Sequence, residues 1–258
     1  MTFIRNENPM TNRRFDLVIS DIDGCLTPEK PSPFDTETLL KIATHNRTSE
    51  ETGDGPRITV CTGRPQPYTE AMCRMLGNTE VPCVAENGVW LYHPGTNAYM
   101  LDPAITDEHL EVVHNAEYWM RTEYFSAGFT IQPGKIGSIS LYHPDRDCML
   151  AAVPDIRSAC EERRWPFRIS TTAHYINCDL SHVSKGTGVR RLLDFVSIPK
   201  ERTAGIGDTE GDRFIAEAVG YFACPANAEE SLKSRADYVS PYEEARGVLD
   251  ILGHLKGV

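Results

Sequence analysis

Short apolar segments, each followed by glycine or polar residues, recur near both ends of the chain. They occupy residues 17–19, 57–61, 203–206, 221–224 and 236–239. Segments of this length are typical of strands buried in a parallel sheet. Helical patterns lie between and after them, at residues 35–44, 187–198, 214–219 and 247–255. Because alternating strands and helices specify a doubly wound parallel sheet, we predict an α/β fold with a Rossmann-like core domain.

The middle of the chain has a mixed pattern. Strand patterns at residues 89–92, 99–101, 129–132, 136–142, 167–170 and 174–178 accompany helical patterns at 107–126 and 154–164. This stretch is far longer than one crossover connection requires. We therefore predict an inserted α+β cap domain at residues 83–181, between core segments 1–82 and 182–258. Residues 1–14 are predicted to form a loose tail, and residues 46–55 a polar loop.

The first apolar segment leads directly into two carboxylates. The sequence F-D-L-V-I-S-D-I-D-G-C-L-T places Asp21 and Asp23 just after the strand. Parallel sheets carry their chemistry beyond the carboxyl ends of the strands, so both side chains should face a crevice. A calcium loop of the EF-hand type is the main alternative. It fails because the chain has Cys25, Leu26 and Ser32 where a third ligand, a glycine and a glutamate are required.

Polar residues suited to phosphate chemistry follow later segments. The sequence R-I-T-V-C-T-G-R-P places Thr62 and Gly63 between a strand and a helix, where a hydroxyl and a backbone N–H can hold a phosphate oxygen. Lys185 opens another helix, and A-G-I-G-D-T-E-G-D places Asp208 and Asp212 after a further strand. Taken singly, these features are ordinary turns, helix caps or a solvated lysine. Their combination and order carry the functional prediction.

The sequence D-x-D-G-x-x-T and the later segments, in this order, resemble the four motifs of the haloacid dehalogenase superfamily of phosphatases and phosphomutases. The predicted insertion resembles the larger α/β cap found after the second motif in its sugar-phosphate phosphatases. In the core domain the resemblance consists of the four motifs. In the cap it is limited to size, position and element order. It implies that the first aspartate is a nucleophile and the second a general acid and base. The residues assigned to catalysis and phosphate binding are Asp21, Asp23, Thr62, Gly63, Arg64 and Lys185.

The acidic residues of these motifs predict a metal. Four carboxylates in one cleft oppose one another's ionisation, so a cation has to be present. Carboxylate and phosphate oxygens favour a hard ion, and we expect Mg²⁺. The resemblance assigns the ion to Asp21, Asp208 and the backbone carbonyl of Asp23, with Asp212 supporting this shell or the lysine.

The resemblance implies hydrolysis of a small phosphomonoester, a phosphosugar or related metabolite, through an aspartyl phosphate on Asp21. An aspartate at position 23 favours a phosphatase or a phosphomutase, because the superfamily's ion-pumping ATPases carry threonine there. The phosphomutase alternative stays open, since eukaryotic phosphomannomutases share D-x-D-G-x-L-T and a similar cap. A non-catalytic phosphosugar-binding protein is a third alternative, although the complete catalytic set argues against it.

Three residues outside the core motifs are candidates for substrate binding. Lys135 stands at the start of a predicted strand on which Ser140 occupies one face. Asn87 lies in the sequence E-N-G, which is in the first place typical of a turn. In related capped phosphatases, however, an Asn-Gly pair stands near the active site where the cap begins. Solvated strand positions are the alternative interpretation of Lys135 and Ser140. The identity of the substrate stays open.

Composition limits the partners. The net charge of −11 argues against nucleic acid or an anionic membrane. No apolar stretch approaches the ~20 residues that span a bilayer, and residues 1–14 lack the apolar core of a secretory signal. The 8 cysteines include no C-x-x-C pair, so Cys25 and Cys61 are interpreted as packing residues. We expect a cytoplasmic enzyme whose partner is a small phosphorylated metabolite; the oligomeric state is not predicted.

Overall fold

The computed structural model describes residues 14–172 and 174–258. Apart from Arg14, the predicted N-terminal tail lies outside the described residues. The strands are β1 Leu17–Ser20, β2 Arg57–Val60, β3 Cys83–Ala85, β4 Trp90–His93, β5 Ala98–Leu101, β6 Thr130–Ile131, β7 Ser138–Tyr142, β8 Phe167–Thr171, β9 Tyr175–Leu180, β10 Thr203–Ile206, β11 Tyr221–Cys224 and β12 Tyr238–Val239. The helices are α1 Thr36–Thr52, α2 Gln66–Met75, α3 Asp107–Tyr124, α4 Arg146–Arg163, α5 Lys185–Val196, α6 Arg213–Ala218, α7 Glu230–Lys233 and α8 Glu244–Leu255.

The described chain divides into two compact units. One, termed the parallel-sheet unit, comprises residues 14–60, Cys73–Thr79 and Val196–Val258. The other, termed the antiparallel-sheet unit, comprises Cys61–Met72 and Glu80–Phe195. The domain boundaries inferred from the motifs, at residues 82/83 and 181/182, stay a prediction.

The parallel-sheet unit is built on a sheet with the strand order β12-β11-β10-β1-β2, in which all neighbours are parallel. The central strand β1 pairs with β10 on one side and β2 on the other, and all of its residues are buried. A strand that is buried on both faces has a continuous apolar sequence, as β1 does at residues 17–19. Because the strands point the same way, the residues that follow β1 and β10 lie at one edge of the sheet.

Helix α1 occupies most of the region predicted to be a polar loop at residues 46–55, so that prediction was wrong. The helix ends at Thr52 and is followed by Gly53 in the left-handed conformation (φ 72°). Asn46 is buried, and its amide donates to the carbonyls of Ile58 and Leu76, both at 3.1 Å, and accepts from the Ile58 N–H at 3.0 Å. A polar residue that belongs to the buried face of a helix was therefore mistaken for a loop residue.

The antiparallel-sheet unit contains one sheet with the order β3-β4-β5 and a larger one with the order β6-β7-β9-β8. Alternate residues of β7 and β9 lie on opposite faces of the larger sheet. The apolar ones, including Ile139 and Cys178, form a core with residues of α3 and α4. The other face is termed the polar face, and it carries Ser138, Ser140, Asn177 and Asp179.

Helix α4 begins at Arg146, so the predicted start at Pro154 was wrong. The carboxylate of Asp145 caps the helix by accepting hydrogen bonds from the N–H groups of Asp147 (2.8 Å) and Cys148 (3.2 Å). Pro154 lies inside the helix on its exposed side, where water can bind the carbonyl that proline leaves without a partner. Asp145 was the stronger signal for the helix start.

The predicted fold class is confirmed, since a parallel α/β sheet is combined with additional antiparallel sheets and helices. The predicted core strands at residues 17–19, 57–61, 203–206 and 221–224 correspond to β1, β2, β10 and β11. Among the described residues, no helix combines the length and the apolar character that crossing a bilayer requires.

Candidate active site

Asp21 and Asp23 follow the central strand of the parallel sheet, as the sequence predicts. Asp21 is buried, and its N–H donates to the Ile206 carbonyl at 2.9 Å, which aligns it with the end of β10. Asp23 is half-buried. The chain turns tightly after it, with the Gly24 N–H donating to the Thr27 carbonyl at 2.7 Å.

Gly24 is required at this turn for two reasons. Its φ of +76° lies in the left-handed region, which residues with a side chain adopt at a cost. A Cβ at this position would also overlap the carboxylate of Asp208. Asn227, which follows β11, fixes the same turn because its amide donates to the Gly24 carbonyl at 2.8 Å. No role was predicted for Asn227, although its place just beyond a strand end was a usable signal.

Asp208 and Asp212 belong to the loop after β10. Asp212 is completely buried, and its carboxylate accepts hydrogen bonds from the N–H groups of Asp208 (3.0 Å) and Thr209 (3.2 Å). A Cβ at Gly207 would lie 2.7 Å from Asp212 Cγ, so only glycine allows this carboxylate to fold back under the loop. Asp212 therefore fixes the loop that presents Asp208.

Asp21, Asp208 and Asp212 form a buried carboxylate cluster. Each offers one oxygen, and these oxygens all lie within 4.8 Å of one another. Within the described residues the carboxylate of Asp23 is not a member of this group, and a metal contact through its backbone carbonyl stays a prediction. Three hard oxygen donors so close together suit a small divalent cation, which keeps part of its hydration shell. The donor set therefore fits Mg²⁺.

Two cysteines interact with the negative charge of this cluster. Cys25 donates its thiol proton to Asp208 Oδ1 at 3.7 Å, so it acts as a weak hydrogen-bond donor. The pKa of Cys224 is raised to about 12, mainly by burial and further by the charges of Asp212 and Asp208. The Cys224 thiol therefore stays protonated at neutral pH.

The predicted phosphate-binding residues Thr62, Gly63 and Arg64 lie together in the antiparallel-sheet unit. Thr62 is buried, its N–H donates to the Val84 carbonyl (3.0 Å), and its hydroxyl accepts from the Arg64 N–H (3.1 Å). Arg64 places its guanidinium over the ring of Tyr68, 5.1 Å from the centroid. The turn is thus held by its own hydroxyl and by strand β3.

Lys185 is the first residue of α5, and it is buried. The helix start is fixed by Ser184 and Thr187, because each backbone N–H donates to the hydroxyl of the other residue, at 2.9 and 3.2 Å. Buried lysines are uncommon in proteins, since burial of the ammonium group has to be compensated.

A pair of glycines allows α5 to approach the turn after β3. A Cβ at Gly188 would lie 2.8 Å from Gly88 Cα and 2.5 Å from a methyl group of Val84. A Cβ at Gly88 would overlap the carbonyl oxygen of Ser184. The two backbones therefore touch with no room for a side chain on either side.

The turn Glu86–Gly88 has an unusual backbone, because all three residues have positive φ angles (48°, 53° and 108°). Holding a non-glycine residue there costs about 1–2 kcal/mol. Glu86 is buried, and its carboxylate accepts from the N–H groups of Ile136 (3.0 Å) and Gly137 (3.0 Å). Burial raises its pKa to about 7, against the lowering effect of these hydrogen bonds and of the Lys135 charge.

The polar face brings the two predicted cap residues together. Lys135 Nζ donates to Ser140 Oγ at 2.6 Å, and the Ser140 hydroxyl donates to Asn177 Oδ1 at 2.6 Å. Ser138 is also buried there, and its hydroxyl has no hydrogen-bond partner among the described residues. Asn177 was not singled out from the sequence, because pairing between β7 and β9 brings it opposite Ser140.

The chain is similar to several known hydrolases and phosphatases. A family model for haloacid dehalogenase-like hydrolases matches residues 145–252. A phosphoglycolate phosphatase of Methanospirillum hungatei is 28% identical over 91% of the chain and 94% of its own length. Phosphoglycolate phosphatase 1 of Saccharolobus solfataricus is 23% identical over 93% of the chain and 95% of its own.

Solved structures share the fold. A Thermoplasma acidophilum protein has a TM-score of 0.72 at 20% identity, and the match covers 95% of the chain and 100% of that protein. The sucrose-phosphatase of Synechocystis, solved with sucrose and phosphate, has a TM-score of 0.67 at 19% identity, over 94% of the chain and 98% of its own.

The fold and the carboxylate cluster thus give a candidate active site at the carboxyl ends of parallel strands. The chain is therefore similar to haloacid dehalogenase-like hydrolases over residues 145–252 and to phosphatases over more than nine tenths of its length. These similarities support its assignment as a phosphoric monoester hydrolase.

Proposed function

We propose that the protein is a Mg²⁺-dependent phosphatase that hydrolyses a small phosphomonoester through an aspartyl phosphate on Asp21. The observation that carries the proposal is the cluster of Asp21, Asp208 and Asp212, with carboxylate oxygens within 4.8 Å of one another at adjacent strand ends. Asp23 stands two residues beyond the proposed nucleophile, outside that cluster. This separation supports different roles for the two aspartates.

Asp21, Asp208 and Asp212 are the side chains that would hold Mg²⁺. When bound, the ion would supply positive charge that offsets these carboxylates and the oxygens of the phosphoryl group. Asp212 accepts two backbone hydrogen bonds from the loop that carries Asp208, so its main contribution is to orient that loop. Asp21 and Asp208 are then the more direct ligands.

The proposed reaction consists of two in-line displacements. A carboxylate oxygen of Asp21 attacks phosphorus, and the bond to the alcohol oxygen breaks while Asp23 gives that oxygen a proton. Asp23 then removes a proton from a water molecule. The water oxygen attacks phosphorus, the bond to Asp21 breaks, and inorganic phosphate leaves. Asp23 therefore returns to its protonated form in each cycle.

Thr62, Gly63, Arg64 and Lys185 are proposed to bind the phosphoryl group, on the basis of their match to the second and third family motifs. The Thr62–Arg64 turn offers a hydroxyl and backbone N–H groups, and Lys185 offers a positive charge. The position of Lys185 at the start of α5 supports this role, because the N-terminus of a helix favours an anion.

The substrate is proposed to be a small phosphorylated metabolite, either a phosphosugar or a phosphorylated acid. Relatives that match the chain over most of its length are named phosphoglycolate phosphatases, and a structural neighbour is a sucrose-phosphatase. Lys135 and Ser140 on the polar face would suit a carboxylate or hydroxyl groups of the substrate. Their contact supports a joint role in recognising its non-phosphate end.

The test is phosphate release from a panel of phosphosugars and phosphorylated acids, with Mg²⁺ and with EDTA. We expect release only with Mg²⁺, its loss in Asp21→Asn, and a fall in kcat of about 10²–10⁴ in Asp23→Asn. Asp54→Asn is the matched control, because Asp54 is an exposed aspartate of the same unit. Turnover by Asp21→Asn at the wild-type rate would refute the mechanism, and a strict requirement for a sugar bisphosphate would instead identify a phosphomutase.

A further inference from the structure

We propose that Asn87 is a positioning residue, which fixes the Thr62–Gly63 turn to the polar face by its hydrogen bond to Asp179. The sequence suggested Asn87 as a substrate ligand; its contacts point to a different role. The inference rests on the proposed function, because it takes the Thr62–Gly63 turn as part of the phosphate site.

The backbone of Asn87 holds the turn from one side. Its N–H donates to the Thr62 carbonyl at 2.9 Å, and the preceding Glu86 N–H donates to the Arg64 carbonyl at 3.0 Å. These two bonds bracket Gly63, so the Glu86–Gly88 turn and the proposed phosphate turn form one backbone assembly.

The side chain of Asn87 lies against Gly63. A Cβ at Gly63 would be 3.0 Å from Asn87 Oδ1 and 3.3 Å from Nδ2. The amide therefore occupies the space that a side chain at position 63 would need. Displacement of Asn87 would remove the surface on which the turn rests.

The side-chain amide of Asn87 is hydrogen-bonded to the polar face. Nδ2 donates to both carboxylate oxygens of Asp179, at 3.1 and 3.3 Å. Asp179 is buried on β9 and also pairs with Arg168 at 3.4 Å, whose guanidinium donates to the Val183 carbonyl at 3.0 Å. With its donor occupied in this way, Asn87 acts on the substrate through Thr62 and Gly63.

Asp179 is also the register partner of Ser138, the buried residue whose hydroxyl has no partner in the described structure. The same face carries the Lys135–Ser140–Asn177 chain. The Asn87–Asp179 bond thus connects the proposed phosphate turn to the strands that carry the candidate groups for the rest of the substrate. Alignment of these two parts is what a positioning residue provides.

The first experiment measures the affinity for inorganic phosphate in the presence of Mg²⁺, together with kcat/KM, for wild type, Asn87→Gly and Asn97→Gly. Glycine accepts the left-handed backbone, so Asn87→Gly removes only the amide. Asn97 is the matched control, because it is also left-handed (φ 52°) and lies in the same unit, in the turn between β4 and β5. We expect Asn87→Gly to weaken phosphate binding and to lower kcat/KM by about tenfold or more, and Asn97→Gly to change neither by more than about twofold.

The second experiment exchanges the partners. Asn87→Asp places a carboxylate against Asp179, and we expect a loss at least as large as in Asn87→Gly. In the double variant Asn87→Asp/Asp179→Asn, the amide at position 179 can donate to the carboxylate at 87. Phosphate affinity should then rise above that of Asn87→Asp and come within about threefold of Asp179→Asn alone. A residue that acted only by filling space would not show this recovery.

The outcomes separate the two proposals. Wild-type phosphate affinity and turnover in Asn87→Gly, or no recovery in the double variant, would overturn the positioning role while the phosphatase stands. A wild-type protein that neither binds phosphate nor releases it from any substrate would overturn both. Phosphate binding without turnover would refute the phosphatase, and the same variants would then test the positioning role through binding alone.

Discussion

At the residue scale, the site depends on small residues as much as on charged ones. Gly24 has a left-handed φ and lies against the Asp208 carboxylate, while Gly207 leaves room for Asp212. The acidic residues could be predicted from the sequence because metal and nucleophile chemistry require oxygen anions at strand ends. The roles of Gly207 and Asn227 could not, because they depend on which loops meet.

Gly24→Ala should impair both the site and the fold. The new Cβ would overlap the Asp208 carboxylate and force alanine into a left-handed backbone, at a cost of about 1–3 kcal/mol for the backbone alone. We expect weaker Mg²⁺ binding, lower activity and a lower free energy of unfolding, measured by calorimetry, phosphate release and urea denaturation. Gly253→Ala is the control, because among the described residues no atom beyond the adjacent turns of α8 lies within 4 Å of the added Cβ, and the helix should gain up to about 1 kcal/mol. Equal stability of the two variants would contradict this account.

At the element scale, strands were predicted more accurately than helix ends. β10 and β11 agree with the predicted residues, because buried parallel strands are short apolar segments with clear ends. The predicted C-terminal end of α1 and the predicted start of α4 were wrong, since Asn46 is satisfied by partners from other elements and Pro154 is tolerated on an exposed face. Such compensation depends on tertiary contacts, which a local pattern does not contain.

Asn46→Ala should destabilise the parallel-sheet unit by about 2–4 kcal/mol. It removes three hydrogen bonds and leaves the Ile58 and Leu76 backbone groups unsatisfied in the interior. Urea denaturation of the variant would measure this, with the exposed neighbour Arg47→Ala as control. A loss below about 0.5 kcal/mol would show that water replaces the amide.

The Glu86–Gly88 turn should make stability depend on pH. The pKa of Glu86 is raised by burial to about 7 in the folded state, so the folded protein binds more protons than the unfolded chain between pH 4.5 and 7. Stability is therefore fully present below about pH 4.5 and falls as the pH rises through 7, by about 3 kcal/mol from this group. Glu86→Gln should lack this loss, whereas the exposed Glu161→Gln should keep it. Parallel pH profiles for the wild type and Glu86→Gln would contradict the assignment.

At the scale of the whole molecule, three of the chain's 37 acidic residues form one buried cluster. Fold class and enzyme class could be predicted because the four motifs fix both. The residues that choose the substrate could not, since the polar face is assembled from strands distant in sequence, with Asn177 opposite Ser140.

Asp208→Asn should make the protein more stable without Mg²⁺ and weaken its response to Mg²⁺. Without Mg²⁺, the loss of one buried negative charge should raise the free energy of unfolding by about 1–3 kcal/mol. With Mg²⁺, the wild type should gain stability and the variant should gain much less. Thermal denaturation with Mg²⁺ and with EDTA checks both effects, and Asp54→Asn should follow the wild type. An identical Mg²⁺ response in Asp208→Asn would place the ion elsewhere.

The contact between Gly88 and Gly188 restricts how this protein can change by mutation. Any single replacement at either position puts a side chain into the opposing backbone. Neither glycine can therefore be replaced while the other backbone keeps its position. A screen of random variants should find both positions intolerant even to alanine, although neither carries a functional group. A library designed to alter substrate choice should therefore leave both glycines fixed and vary the polar face.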